Sequence, residues 1–167
     1  MAIVGTDHTV MLVQDIDAAI VTYRDRLGLD VSHRVDRIEA GIRQAFFSLP
    51  DRTFIELIAP AGENSRFESV LKEHGEGVHV LALAVDDLEA SVAELQAQGV
   101  QLVGAGTPQV FIHPKSAHGV MIQLWPKDRP HRWRDCPVPS LMALICCGAC
   151  AQASRCYCTT TALPSGR

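Results

Sequence analysis

A pattern that recurs 72 residues along the chain limits what this sequence can fold into more than any other feature. Val13, Asp15, Ile16 and Ala18 have counterparts in Val85, Asp87, Leu88 and Ala90 at that one offset. Each copy sets a short apolar run, His8 to Val13 or Val80 to Val85, before an aspartate suited to cap a helix. In the first copy Ile16, Ala19, Ile20, Tyr23 and Leu27 follow at helical spacing and Gly28 closes the helix. In the second, Leu95 falls where Tyr23 did and Gly99 is the stop. Generic alternation of strands and helices does not produce a constant offset, so the pattern is read as an internal duplication.

Three further strands complete the first copy: Asp30 to Val35, Ile42 to Leu49 and Thr53 to Ala59, separated by the turns Glu39-Ala40-Gly41 and Pro50-Asp51-Arg52. That half therefore reads β-α-β-β-β. Ala61 to Gly77 links the halves and carries Phe67, Val70 and Leu71 at the spacing of a short amphipathic helix. The second half ends on Val110 to Ile112, a turn over His113 to Gly119, and a strand from Val120 to Trp125 stopped by Pro126. The fold class is α+β, two βαβββ modules of about residues 4–60 and 78–126 in a single domain of residues 4–126.

Beyond Lys127 the chain changes character. Arg129 to Arg134 is basic and turn-rich, Leu141 to Ala151 is apolar without a period, and all six cysteines fall after Asp135. Residues 127–167 are read as a Cys-rich extension of unknown structure, in which Cys147-x-x-Cys150 stands alone rather than recurring at zinc-ribbon spacing. No disulfide framework is available to the first 135 residues. A net charge of −4 with no Lys/Arg run gives no footprint for nucleic acid or an anionic membrane surface. The first residues lack a basic and apolar leader, and no apolar stretch before residue 135 approaches the roughly 18 residues of a membrane span. A cytoplasmic protein acting on a small molecule is the expectation.

Asp7-His8, the run Ile55 to Pro60, Gly75-Glu76-Gly77-Val78-His79, and His113-Pro114-Lys115-Ser116 with Gly119 to Leu124 together resemble the vicinal-oxygen-chelate superfamily. Within it they are most similar to the methylmalonyl-CoA epimerase family. The resemblance covers about 120 residues and implies two symmetric halves curled around a cleft in which four inward side chains surround a divalent metal: Co, Mn, Zn, Ni or Mg. The quartet then falls on His8 and Glu56 from the first half and on Val80 and Gln123 from the second. Homodimers are common in such a family, and a homodimer is expected.

Two positions depart from the family pattern, which has a His-His pair at His79-Val80 and a Glu at Gln123. His79 is one residue out of register with His8, hence on the opposite face of a regular strand, unless a β-bulge near Gly77 swings it inward. Val80 has no lone pair, which leaves His8, Glu56 and Gln123 as metal ligands. An amide at Gln123 cannot take a proton near neutral pH, so Glu56 is also the expected catalytic base. Gln44, His79 and Lys115 are the candidate substrate-contacting residues, Lys115 facing an anionic group. His118 and Arg129 to Arg134 are read as solvated.

The resemblance implies an isomerase or lyase working by metal-assisted enolate formation on a small acyl thioester or carbonyl acid. One alternative is a metal-free cleft that binds a small molecule, of the resistance type, or serves a biosynthetic pathway. Another is a glyoxalase-like or dioxygenase-like metalloenzyme.

Overall fold

The computed structural model describes residues 2–62 and 65–135. The chain divides into a unit of residues 1–129 and a second of residues 130–167, of which the short helix Arg132–Asp135 is described. The cysteines and the run from Leu141 to Ala151 lie outside the described residues.

The first unit carries β1 (Ile3–Leu12), α1 (Ile16–Val21), β2 (His33–Arg37), β3 (Ile42–Ser48), β4 (Phe54–Pro60), α2 (Arg66–His74), β5 (Gly77–Val85), α3 (Leu88–Ala97), β6 (Leu102–Val103), β7 (Val110–Ile112) and β8 (Ile122–Pro126). All eight strands join one sheet in the order β2-β3-β4-β1-β5-β8-β7-β6. The order is symmetric about the antiparallel β1–β5 pair, with parallel β1–β4 and β5–β8 flanking it. Register follows the duplication residue by residue. Val10 lies beside Glu56 as Ala82 lies beside Gln123, and across the centre His8 pairs with Ala82 while Val10 pairs with Val80. The mixed α+β architecture of two βαβββ modules is thus present.

Both repeat helices start as their sequence directs. The Asp15 carboxylate accepts from the N–H groups of Asp17 and Ala18 at 2.9 and 3.1 Å, and that of Asp87 from Ala90 N–H at 2.9 Å. α1 passes through a π-helical turn over Thr22–Arg26 before reaching Gly28 at φ 70°, and α3 stops before Gly99 at φ 75°, a left-handed conformation that costs glycine no Cβ clash. Asp15→Ala is expected to lower stability by about 1 kcal/mol, read as a shifted urea midpoint. An unchanged midpoint would mean that the cap is idle.

Alternation along the strands divides the sheet into two faces. One packs on the repeat helices. Val13, Ile16, Ile20, Ala45, Phe47, Leu57 and Ala59 form its core in the first half, and Val85, Leu95, Val110 and Leu124 in the second. The other face carries Val10, Leu12, Ile58 and Val80 with Phe67 of α2 laid on them. Each such side chain buried stabilises the fold by roughly 1.5–3 kcal/mol.

Some boundaries differ from the sequence expectation. β1 begins at Ile3 because its first residues pair with the far end of β5, Ile3 beside Val85. β2 starts at His33 and β8 at Ile122, later than their apolar runs. The two-residue β6, between Gly99 and Gly104, is too short to register as a pattern. No helix among the described residues is long and apolar enough to cross a membrane.

Candidate active site

The face opposite the repeat helices gathers three of the four quartet positions as polar side chains. His8, 4% exposed, and Gln123, 6% exposed, occupy one row of the sheet, separated by Ala82 on the intervening β5. Their Cα atoms are therefore roughly 10 Å apart along the sheet. Glu56 lies one strand over on β4, beside Val10, on the same face. Val80 completes the quartet as hydrocarbon, packed with Val10, Leu12, Ile58 and Phe67.

His8 is held on three sides. Phe54, its partner in register, stacks on the imidazole at 4.5 Å with 13° between planes, and Trp125 meets it edge-on at 5.6 Å. Nδ1 lies 2.5 Å from the Asp7 carboxylate. Adjacent strand residues ordinarily point apart. A β-bulge removes that restriction: Thr6 pairs with Leu83 and His8 with Ala82, so Asp7 is an extra residue on β1. Trp125 is anchored in turn, its Nε1–H donating to the Arg129 carbonyl at 3.1 Å while the Arg129 guanidinium covers its ring at 5.3 Å.

Glu56 is fixed from the neighbouring strand. Gln44 Nε2 donates to Glu56 Oε1 at 2.6 Å, and the carboxylate decides the orientation of the amide, since a flipped Gln44 would set two oxygens together. The Gln44 carbonyl oxygen is then buried without a hydrogen-bond partner among the described residues. An orphaned acceptor of this kind is worth a kilocalorie or more to any donor that reaches it, roughly 1–3 kcal/mol.

A second bulge sits at the position equivalent to Asp7. Val10 pairs with Val80 but Met11 with Val78, so His79 is the extra residue on β5. The ring of His79 lies edge-on to Phe67 at 5.8 Å, half-buried under α2 rather than in the row of His8 and Gln123. Burial, then the charges of Arg66 and His74, lower its pKa from the ordinary 6.5. The unfolded chain therefore takes the proton first as pH falls below 6.5, and the fold loses stability on acidification while gaining nothing above it. His79→Gln is expected to shrink the drop in melting temperature between pH 7.5 and pH 5. An equal drop in both proteins would contradict this.

Lys115 stands exposed on the one-turn 3₁₀ helix Pro114–Ser116, whose start is capped by His113 Nδ1 accepting from Lys115 N–H at 3.1 Å. The structure thus brings His8, Glu56, Gln44 and Gln123 to one face, sets His79 against α2, and leaves Lys115 on the β7–β8 turn. Phe54 and Trp125 were not singled out by sequence reasoning, which named Asp7 as a motif residue without a role. Phe54 was within reach of it, being two residues from Glu56 and so on its face.

The family model described as glyoxalase/bleomycin resistance protein/dioxygenase superfamily matches residues 7–116. A mitochondrial methylmalonyl-CoA epimerase of Dictyostelium discoideum is 35% identical over 126 residues, 71% of this chain and 75% of that protein. The chain belongs to this superfamily, on its methylmalonyl-CoA epimerase branch. An ethylmalonyl-CoA/methylmalonyl-CoA epimerase of Cereibacter sphaeroides is 32% identical over 71% of this chain and 94% of its own length. The crystal structure of the Mycobacterium tuberculosis methylmalonyl-CoA epimerase superposes with a TM-score of 0.65 at 39% identity, covering 77% of this chain and 90% of that one. A further epimerase structure, 30% identical with a TM-score of 0.63 over 74% of this chain and 94% of its own, is a complex with methylmalonyl-CoA and NH4+.

Proposed function

We propose that this member of the epimerase branch is an isomerase that exchanges the proton on the carbon between a thioester and a carboxylate, with methylmalonyl-CoA or a close relative as substrate. The observation that carries the reading is the convergence of His8, Glu56 and Gln123 on one sheet face at positions related by the duplication, His8 and Gln123 buried and Glu56 half-buried against Gln44. Burying such polar groups is costly unless something engages them.

The donor set fits a divalent metal: an imidazole nitrogen, a carboxylate and an amide oxygen are acceptable mixed N/O ligands. His8, Glu56 and Gln123 would hold it. When bound, the ion supplies positive charge against the negative charge that develops on the thioester oxygen. The Glu56 carboxylate takes the proton from carbon, oriented by the Gln44 amide. Gln123 orients without exchanging protons. Inversion then requires a second proton donor, a solvent water or an acid on the face opposite Glu56, to protonate the planar carbanion, while Glu56 releases the proton it took to solvent. Phe54, Trp125 and Val80 provide apolar walls that keep competing water from the carbanion.

A metal-free cleft that binds a small molecule is the second reading, favoured by one observation: Val80 is packed into hydrocarbon where the family has a ligand. Calorimetric titration of the chelator-stripped full-length protein with Co²⁺, Mn²⁺ and Zn²⁺ separates the two. One equivalent bound supports the isomerase; no binding by any of the three removes it in favour of the metal-free cleft.

A further inference from the structure

The bulge in β1 has chemical content. By inserting Asp7 as an extra residue between the paired Thr6 and His8 it turns two sequence neighbours toward each other, so that a carboxylate and an imidazole meet at 2.5 Å on the edge of a buried site. His8 is already gripped by Phe54 and Trp125, so its ring plane is set by packing. What packing cannot set is which ring nitrogen carries the proton, because the two tautomers have the same shape. That choice belongs to the hydrogen bond at the other nitrogen.

We infer that Asp7 is a positioning residue that holds neutral His8 in the Nδ1–H tautomer and so keeps the lone pair on Nε2. A carboxylate only accepts hydrogen bonds when ionised, which obliges the nitrogen facing it to be the protonated one. In water the neutral imidazole of histidine prefers the opposite arrangement, with the proton on Nε2, so the bulge works against the side chain's own preference. The functional meaning rests on His8 being a metal ligand, as proposed above: the carboxylate–imidazole pairing raises ligand basicity and fixes the coordinating atom. The duplication sharpens the point. The equivalent bulge in β5 carries His79 beside Val80, an imidazole in the carboxylate's place next to a residue with no lone pair to orient. Only the first half keeps both members of such a pair.

The experiment reads the tautomer directly, by ¹⁵N NMR of the two imidazole nitrogens of His8 in the metal-stripped full-length protein, at the alkaline end of a pH series where the ring carries a single proton. The wild type is expected to show Nδ1 protonated and Nε2 unprotonated, and Asp7→Ala to show the proton moved largely to Nε2. An Nε2–H tautomer in the wild type, or the same pattern in both proteins, overturns the inference whether or not metal binds and whether or not the variant folds well. Co²⁺ titration gives the second arm: a wild type that binds one equivalent should lose about 10–100-fold in affinity on Asp7→Ala. Failure of the wild type to bind Co²⁺ counts against the metal reading of the site alone, since the tautomer remains measurable.

Discussion

Glu56→Gln is expected to lower the rate of proton exchange on methylmalonyl-CoA by about 10²–10⁴-fold, the range associated with loss of a positioned base. The substitution is nearly isosteric and keeps an oxygen able to bind a cation, so it separates proton transfer from metal binding. With Gln123 an amide, no second carboxylate of the quartet can take over, which is why the loss should fall at the large end of what one residue can cause. Glu56→Ala should in addition remove the metal. A Glu56→Gln protein with wild-type exchange would show that the base lies elsewhere and would leave Glu56 as a ligand only. Gln44 Nε2 can still donate to the amide oxygen that replaces Glu56 Oε1, so the sheet around it is expected to stay folded.

Val80→His should raise divalent metal affinity by roughly 100-fold. Binding free energies of about 10–16 kcal/mol for four-ligand sites put a single ligand near 3 kcal/mol, a factor of about 10² in the dissociation constant. Val80 stands in the second half where His8 stands in the first, and the strand register around it reproduces that around His8. A histidine there would start on the correct face. The opposing cost is packing, since Val80 is 7% exposed among Val10, Leu12, Ile58 and Phe67. Calorimetry on the full chain resolves the balance. Unchanged affinity would mean that this face no longer closes around an ion and would favour the metal-free cleft.

Much of the fold was legible because local chemistry fixes it. Asp15 and Asp87 cap their helices with side-chain oxygens that need only the next three residues, and the constant offset between the copies passes directly into strand register. The common face of His8 and Glu56 followed from resemblance combined with the period-two rule. What escaped is what depends on pairing between distant strands. Parity placed His79 on the far face, yet the β1–β5 pairing inserts bulges at Asp7 and at His79, and at a bulge parity fails. A bulge near Gly77 was anticipated as the means of bringing His79 to the site; the bulge exists, and the ring lies against Phe67. The aromatic clasp of Phe54 and Trp125 on His8 required knowing that β4 and β8 flank the central pair, which no local pattern encodes.

Deuterium incorporation at the carbon between thioester and carboxylate of methylmalonyl-CoA, followed by NMR in D₂O with the metal-loaded full-length protein and a chelator-treated control, tests the central claim most directly. Incorporation that needs the metal and vanishes in Glu56→Gln is the expected result. Incorporation no faster than the control without protein would contradict it.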